Sequence, residues 1–146
     1  MHGQNRCMGK EVAEALRNAK HDIEWFHERF TDDRTPDDVW IPIVSAESKV
    51  ILTKDLAIQR TPIEVAALLN AGARCFMFPT KKQNGATLLT LVADSWTRME
   101  AICAVTDPPF LYRVNADGSF TRKDTGPVWG RIRAERAAAA GISDSE

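Results

Sequence analysis

The sequence has almost no net charge, since its 146 residues include 19 basic and 20 acidic ones. This balance excludes a histone-like polycation that binds nucleic acid through bulk charge. No apolar run approaches the roughly 18 residues that a membrane helix needs. The first six residues also lack the apolar core of a secretory signal. We therefore expect a cytoplasmic protein without a membrane partner.

Cysteine is scarce as well, and Cys7, Cys75 and Cys103 show no metal-ligand spacing. An odd number of cysteines favours a reducing compartment over a disulfide framework. His21 and His27 likewise have no partner at metal spacing. Apolar residues nevertheless make up 44% of the chain, which is enough to bury a core and excludes disorder throughout. The length suits one domain of ordinary size.

Helices and strands are predicted to alternate along most of the chain. The predicted order is helix 8–20, strand 21–26, a helix from Pro36, strand 50–52, helix 62–72, strand 75–78 and helix 86–105. Such alternation predicts a parallel sheet with helices on both faces. The strand at 50–52 is a continuous apolar run, typical of a strand that is buried on both faces.

Two helix starts carry a proline signature. Thr35 is predicted to cap a helix whose first turn contains Pro36, Asp37 and Asp38. Thr61 and Glu64 have the spacing of a capping box, and this second helix is predicted to end at Gly72.

The last part of the chain has a different pattern. Two runs, 110–114 and 119–122, flank Asp117-Gly118, which predicts a β-hairpin. The alanine- and arginine-rich tail after Pro127 is predicted to be a helix that frays towards its end.

The charges are unevenly distributed along the chain. Residues 21–55 hold nine acidic and four basic residues, whereas residues 122–136 hold five basic and two acidic ones. This pattern fits a site that holds a cation beside an anionic polymer, although chance scatter in a neutral protein is the alternative.

Carboxylates at strand ends are the candidates for chemistry. Asp55 follows the strand at 50–52, and ligands of parallel sheets bind beyond the carboxyl ends of strands. Two carboxylates about 4 Å apart repel by about 4 kcal/mol at an effective dielectric constant near 20, and a divalent cation removes that penalty. The alternative is that Asp37 and Asp38 are first-turn acids of a helix and that Asp55 is a helix cap.

With these motifs in order, the sequence resembles the PIN-like domains of VapC-type toxins. The resemblance rests on Thr35-Pro36-Asp37-Asp38-Val39-Trp40 followed by Val50-Ile51-Leu52-Thr53-Lys54-Asp55, and it covers roughly residues 5–114. It implies a three-layer α/β sandwich with a central parallel sheet. The expected PIN-like domain spans residues 1–123, with the hairpin at 109–123, and residues 124–146 form a helical or partly disordered tail.

The resemblance also implies a metal-dependent endoribonuclease, usually the toxin of a type II toxin–antitoxin pair. The implied cofactor is Mg²⁺ or Mn²⁺, and the implied partners are an RNA substrate, a cognate antitoxin and a second copy in a homodimer. Carried over position by position, the resemblance implies that the catalytic residues are Asp37, Asp55 and Asp38 and that the metal ligands are Asp37, Asp55 and Asn5. It also implies that Thr53 and Asn84 support the site. The implied RNA-binding residues are Lys54, Arg60, Lys81 and Lys82.

The first acidic position of the family is not matched. Asn5 takes the place of an aspartate that ends an apolar strand in relatives, and residues 1–4 are predicted to be too short and polar for a central strand. An amide in that place weakens metal binding because one negative charge is lost. Three alternatives stay open: the chain is shortened at its start, its activity has decayed, or Asn5 suffices. A second function is therefore a degenerate, non-catalytic PIN-like module that binds RNA or a partner protein.

Overall fold

The computed structural model describes residues 1–6, 10–30, 35–54, 61–78 and 85–144. These residues form six strands and five helices, in the order β1 Gly3–Arg6, α1 Lys10–Asn18, β2 Ile23–Trp25, α2 Asp37–Ala46, β3 Val50–Thr53, α3 Pro62–Ala71, β4 Arg74–Met77, α4 Gly85–Val105, β5 Phe110–Val114, β6 Phe120–Arg122 and α5 Pro127–Asp144. Among the described helices, none combines the length and the apolar character needed to cross a lipid bilayer.

The strands form a single sheet in the order β2-β1-β3-β4-β5-β6. The first five strands are parallel, and β6 pairs antiparallel with β5. Helices α2, α3 and α5 pack on one face of the sheet, and α1 and α4 pack on the other. We call these faces the α2 face and the α1 face. The predicted α/β sandwich, with helices on both faces and a C-terminal hairpin, is confirmed.

Strand β3 runs through the middle of the sheet, and all four of its residues are buried. Ile51 belongs to the core of the α2 face, whereas Val50 and Leu52 belong to the core of the α1 face. Apolar side chains are therefore needed on both sides of this strand, which explains its continuous apolar run.

The short and polar strand β1 is also central, so the prediction that residues 1–4 are unsuited to such a strand is wrong. Its backbone is paired on both sides, and the flanking bonds from Gly3 N to Asp22 O and from Val50 N to His2 O each measure 2.8 Å. A Cβ atom at Gly3 would lie 3.3 Å from Leu52 Cδ1, which is a tight contact, and 3.5 Å from the Trp96 ring of α4, which is an ordinary one. Glycine thus leaves room for Leu52, and Trp96 lies over the strand, so β1 needs no apolar side chain of its own there.

The helix starts agree with the predictions only in part. Helix α2 begins at Asp37 with Pro36 at the N-cap, because the ψ of 148° at Pro36 keeps that residue extended. Thr35 is therefore not the capping residue. Thr61 does occupy the N-cap of α3, but it makes no side-chain capping hydrogen bond, so the predicted capping box is not formed. The helix ends as predicted, with Gly72 in the left-handed conformation.

The C-terminal helix α5 packs against α3 and contributes the fully buried Trp129 to the core of the α2 face. Asp124, also fully buried, accepts hydrogen bonds from Arg122 Nε at 2.8 Å and from an Arg133 guanidinium nitrogen at 2.6 Å. Burial raises the pKa of the Asp124 carboxyl, but the bonds from the two arginines outweigh this effect and hold its pKa below the ordinary value. The carboxylate thus joins the hairpin to α5. The domain boundary at residue 123 stays a prediction.

We expect Asp124→Asn to lower the free energy of unfolding by about 2 kcal/mol at pH 7, because charge-assisted hydrogen bonds to a buried carboxylate are lost. The pKa of Asp124 is lower in the folded state than in the unfolded state, so its carboxylate stabilises the folded protein fully above the unfolded-state pKa of about 3.9. This stabilisation is lost as the pH falls through the folded-state pKa. The difference between the two proteins in urea unfolding should therefore shrink below about pH 4. Asp107→Asn, at an exposed position, is the control. Equal stability of wild type and Asp124→Asn at pH 7 would contradict this account.

Candidate functional site

The carboxyl ends of β1, β2 and β3 lie side by side in the sheet. Asn5 is the register partner of both Trp25 and Leu52, and Arg6 is the partner of Thr53. Because the three strands are parallel, the chain leaves all of them at the same edge, which is the usual ligand-binding edge of such sheets. We call it the carboxyl edge.

Helix α2 brings Asp37 to the carboxyl edge. The last turn of α2 connects closely to the start of β3, since Lys49 N donates to Val44 O at 3.1 Å. The helix therefore runs antiparallel to β3, and its first turn lies at the opposite end, near the carboxyl end of the strand. The topology thus places a helix N-terminus carrying Asp37 and Asp38 beside the ends of the central strands.

The carboxylate of Asp37 is held in a fixed orientation. Its Oδ1 accepts a hydrogen bond of 2.7 Å from Nε1 of Trp40, a side chain that is only 1% exposed and packs in the core of the α2 face. Asp37 is half-buried, whereas its neighbour Asp38 is exposed. This bond from Trp40 was not predicted from the sequence. The spacing of three residues within one helical turn was the signal that pointed to it.

Strand β3 contributes Thr53 and Lys54 to the same edge. Thr53 is the last residue of the strand and is buried, and Lys54 follows it and is exposed. Asn5 belongs to β1, and its side chain is outside the described part of the structure. Five further predicted site residues lie outside the described residues altogether: Asp55, Arg60, Lys81, Lys82 and Asn84. The meeting of Asp37 with Asp55 therefore stays a prediction.

Four of the six described acidic residues between positions 21 and 55 contact a basic residue or a histidine. Glu24 forms an ion pair with Lys49, Glu28 with Arg17, and Glu47 with Arg29, whereas Asp22 contacts Nδ1 of His2 at 2.5 Å. Hydrogen bonds from Arg29 and then from Lys49 lower the pKa of Glu47 to about 2. These side chains thus hold α1, α2, β2 and the turn after β2 together. The other two acids, Asp37 and Asp38, make no ion pair with a residue of the described ranges.

The described residues supply a ligand type that a hard divalent cation accepts but do not complete a metal site at the carboxyl edge. Asp37 offers a carboxylate, which Mg²⁺ and Mn²⁺ accept as a ligand. Gln4 of β1 is fully buried with no described partner for either amide atom, but it is the register partner of Ile51, two residues before the end of β3. No three histidine, cysteine, aspartate or glutamate side chains of the described residues come together as a metal site.

Comparison with known protein families gives a match to the first half of the chain. The sequence model of a family described as a PIN-like domain matches residues 5–80, which include the last two residues of β1, the strands β2 to β4 and the predicted residues Asn5, Asp37, Thr53 and Asp55. No curated protein and no solved structure matches the chain.

We expect Asp37→Ala to lower the free energy of unfolding by about 2 kcal/mol in urea denaturation, because the Trp40 indole N–H loses its acceptor inside the core. Asp38→Ala is the matched control, since it removes a carboxylate from the same helical turn but no buried hydrogen bond. Its cost should stay below about 1 kcal/mol, the range of a helix-dipole interaction. Equal costs for the two variants would show that the bond from Trp40 contributes nothing to stability.

Proposed function

Because the chain belongs to the family of PIN-like domains, which are generally nucleases, we propose that it is an endoribonuclease that depends on Mg²⁺ or Mn²⁺. The observation that supports this proposal most is the register of β1 against β3, which sets Asn5 and Arg6 beside Leu52 and Thr53. Asp55 follows two residues after Thr53 in the chain. The first turn of α2, with Asp37, is at the same edge.

Asp37 and Asp55 are the residues we propose as metal ligands, with Asn5 as a neutral third ligand. When bound there, the divalent ion would lower the pKa of a water molecule for attack on an RNA phosphodiester and stabilise the leaving oxygen. Asp38 is a further carboxylate on the exposed side of the same turn.

The protein's own contribution is to hold the acidic groups in place. The Trp40 indole fixes one oxygen of Asp37, so this carboxylate loses little rotational freedom when it binds a cation. Thr53 is buried at the end of β3. Lys54 is exposed beside the site, and we propose that it contacts the RNA backbone together with Arg60, Lys81 and Lys82, with Asn84 supporting the site.

We further propose that the chain is the toxin of a type II toxin–antitoxin pair, with a cognate antitoxin as its protein partner and a homodimer as its assembly. This part of the proposal is supported only by the resemblance of the Pro36–Trp40 and Thr53–Asp55 motifs to VapC-type toxins.

One observation favours a second function, a degenerate PIN-like module that binds RNA or a partner protein without cleaving RNA. Strand β1 carries glutamine, asparagine and arginine where a carboxylate is expected, and the described residues alone do not form a metal site. Loss of one negative charge weakens the attraction for a divalent ion at the position where it matters most.

We expect purified protein to cleave RNA in the presence of Mn²⁺, and Asp55→Asn to reduce the cleavage rate by at least 100-fold, because one of only two proposed charged ligands is lost. The rate is measured on a labelled RNA of mixed sequence. Asp107→Asn serves as the control, since this exposed residue precedes β5 at the opposite edge of the sheet and should leave the rate unchanged.

Calorimetric titration with Mn²⁺ separates the two functions. If wild type releases or absorbs heat on binding Mn²⁺ and Asp55→Asn does not, the result supports the proposed nuclease. No heat, together with RNA binding that is unaffected by Mn²⁺, supports the binding module. Equal RNA degradation by wild type and Asp55→Asn would mean that a contaminating nuclease causes it, and the proposed activity would then be rejected.

A further inference from the structure

A cleft of about 300 Å³ lies between α1 and the end of β2. One wall is a single face of α1, because its residues follow helical spacing, and the other is formed by β2 and the short 3₁₀ turn Phe26–Glu28. The lining residues are Lys10, Ala13, Glu14, Arg17, Trp25 and Glu28. None of them belongs to the predicted site.

One end of this cleft is next to the carboxyl edge. Trp25 is the last residue of β2 and the register partner of Asn5, and Lys10 is the first residue of α1. Arg17 lies at the other end, where its Nε donates to Ile23 O at 2.8 Å. A polymer whose phosphate occupies the carboxyl edge would therefore bring a neighbouring nucleotide to Trp25.

The cleft is rigid on the side of Trp25. The backbone N–H of Trp25 donates to Glu28 Oε1 at 2.7 Å, and Glu28 is also paired with Arg17. The hydrogen bond from Arg17 holds the pKa of Glu28 below its ordinary value, so this carboxylate stays charged at neutral pH. The indole is thus presented by a strand end that is fixed by a charged hydrogen-bond pair.

The chemistry of the lining suits a nucleobase better than a simple anion or an apolar ligand. The Trp25 ring is half-buried, and Lys10 Nζ lies 5.8 Å from its centroid. The lining has two cations and two carboxylates, so it has no net charge to attract a free anion. The planar bases of nucleic acids stack on aromatic rings, and their polar edges bind both hydrogen-bond donors and hydrogen-bond acceptors. The attached phosphate binds a cation.

We propose that this cleft is a nucleobase subsite of the RNA substrate, in which the base of a nucleotide next to the scissile phosphate stacks on Trp25 and Lys10 contacts the RNA backbone. The proposal rests on the proposed function for its substrate class. It adds a determinant of binding and sequence preference that lies outside the carboxylate site.

The test measures binding of fluorescein-labelled RNA oligonucleotides of about 12 nucleotides by anisotropy, with EDTA present so that no cleavage occurs. We expect Trp25→Ala to weaken binding by about 5- to 100-fold, the range for loss of one stacked base, and Trp25→Phe to retain most of the affinity. Lys10→Ala should also weaken binding. Arg136→Ala removes a positive charge from an exposed helical position of α5, on the other face of the sheet, and is the charge-matched control.

An abasic scan identifies the base that stacks on Trp25, and fluorescence quenching compared with Trp25→Phe keeps the test decisive where Trp25→Ala fails to fold. One nucleotide position should exist at which removing the base weakens binding to wild type but has no further effect on Trp25→Ala. Binding of intact RNA should also quench tryptophan fluorescence in wild type more than in Trp25→Phe. Affinity and quenching that are the same in wild type and all Trp25 variants would overturn the proposed subsite.

The two proposals fail in distinguishable ways. Absence of Mn²⁺-dependent cleavage in wild type, together with Trp25-dependent RNA binding, would reject the nuclease and support the subsite. Cleavage that depends on Asp55, together with an unchanged KM and RNA affinity in Trp25→Ala, would support the nuclease and reject the subsite.

Discussion

Backbone hydrogen bonding between β1 and its two neighbours is the interaction on which the rest of this molecule depends. A strand of only four residues joins β2 to β3, and without it β2 would be separated from the other four strands of the sheet. The same pairing fixes the carboxyl edge, because it determines that Asn5, Trp25 and Leu52 are side by side. The proposed metal site and the proposed nucleobase subsite both take their positions from this register.

The described acidic residues differ in the partners that they contact. Glu24, Glu28 and Glu47 are paired with basic residues that hold β2, α1 and α2 together. Asp37 instead accepts a hydrogen bond from a neutral indole, and among the described residues it has no basic partner. An oriented carboxylate of this kind is suited to bind a cation, as we propose for Asp37.

Much of the fold was predictable because side-chain patterns report burial. The apolar run of β3, the helix end at Gly72 and the Asp117-Gly118 hairpin each carry a local signal. Strand β1 carries none, since its pairing uses backbone groups and its packing depends on Leu52 and Trp96 beside Gly3, which are far along the chain. The place of Asp37 in the first turn of a helix was predictable from the Thr35-Pro36-Asp37-Asp38 pattern, whereas its role as a metal ligand stays a prediction. The Trp40 bond and the Glu24–Lys49 pair were missed, because they require knowledge of which side chains meet.

The most direct test of the central claim uses Mn²⁺ as a paramagnetic probe and the indole N–H signals of the four tryptophans, assigned by single phenylalanine substitutions. Nε1 of Trp40 lies 2.7 Å from Asp37 Oδ1. Mn²⁺ held by Asp37 and Asp55 should therefore strongly broaden the Trp40 signal. Asp55→Asn should abolish the broadening. A Trp40 signal that Mn²⁺ leaves unchanged, or broadening that persists in Asp55→Asn, would contradict a metal site shared by these two carboxylates.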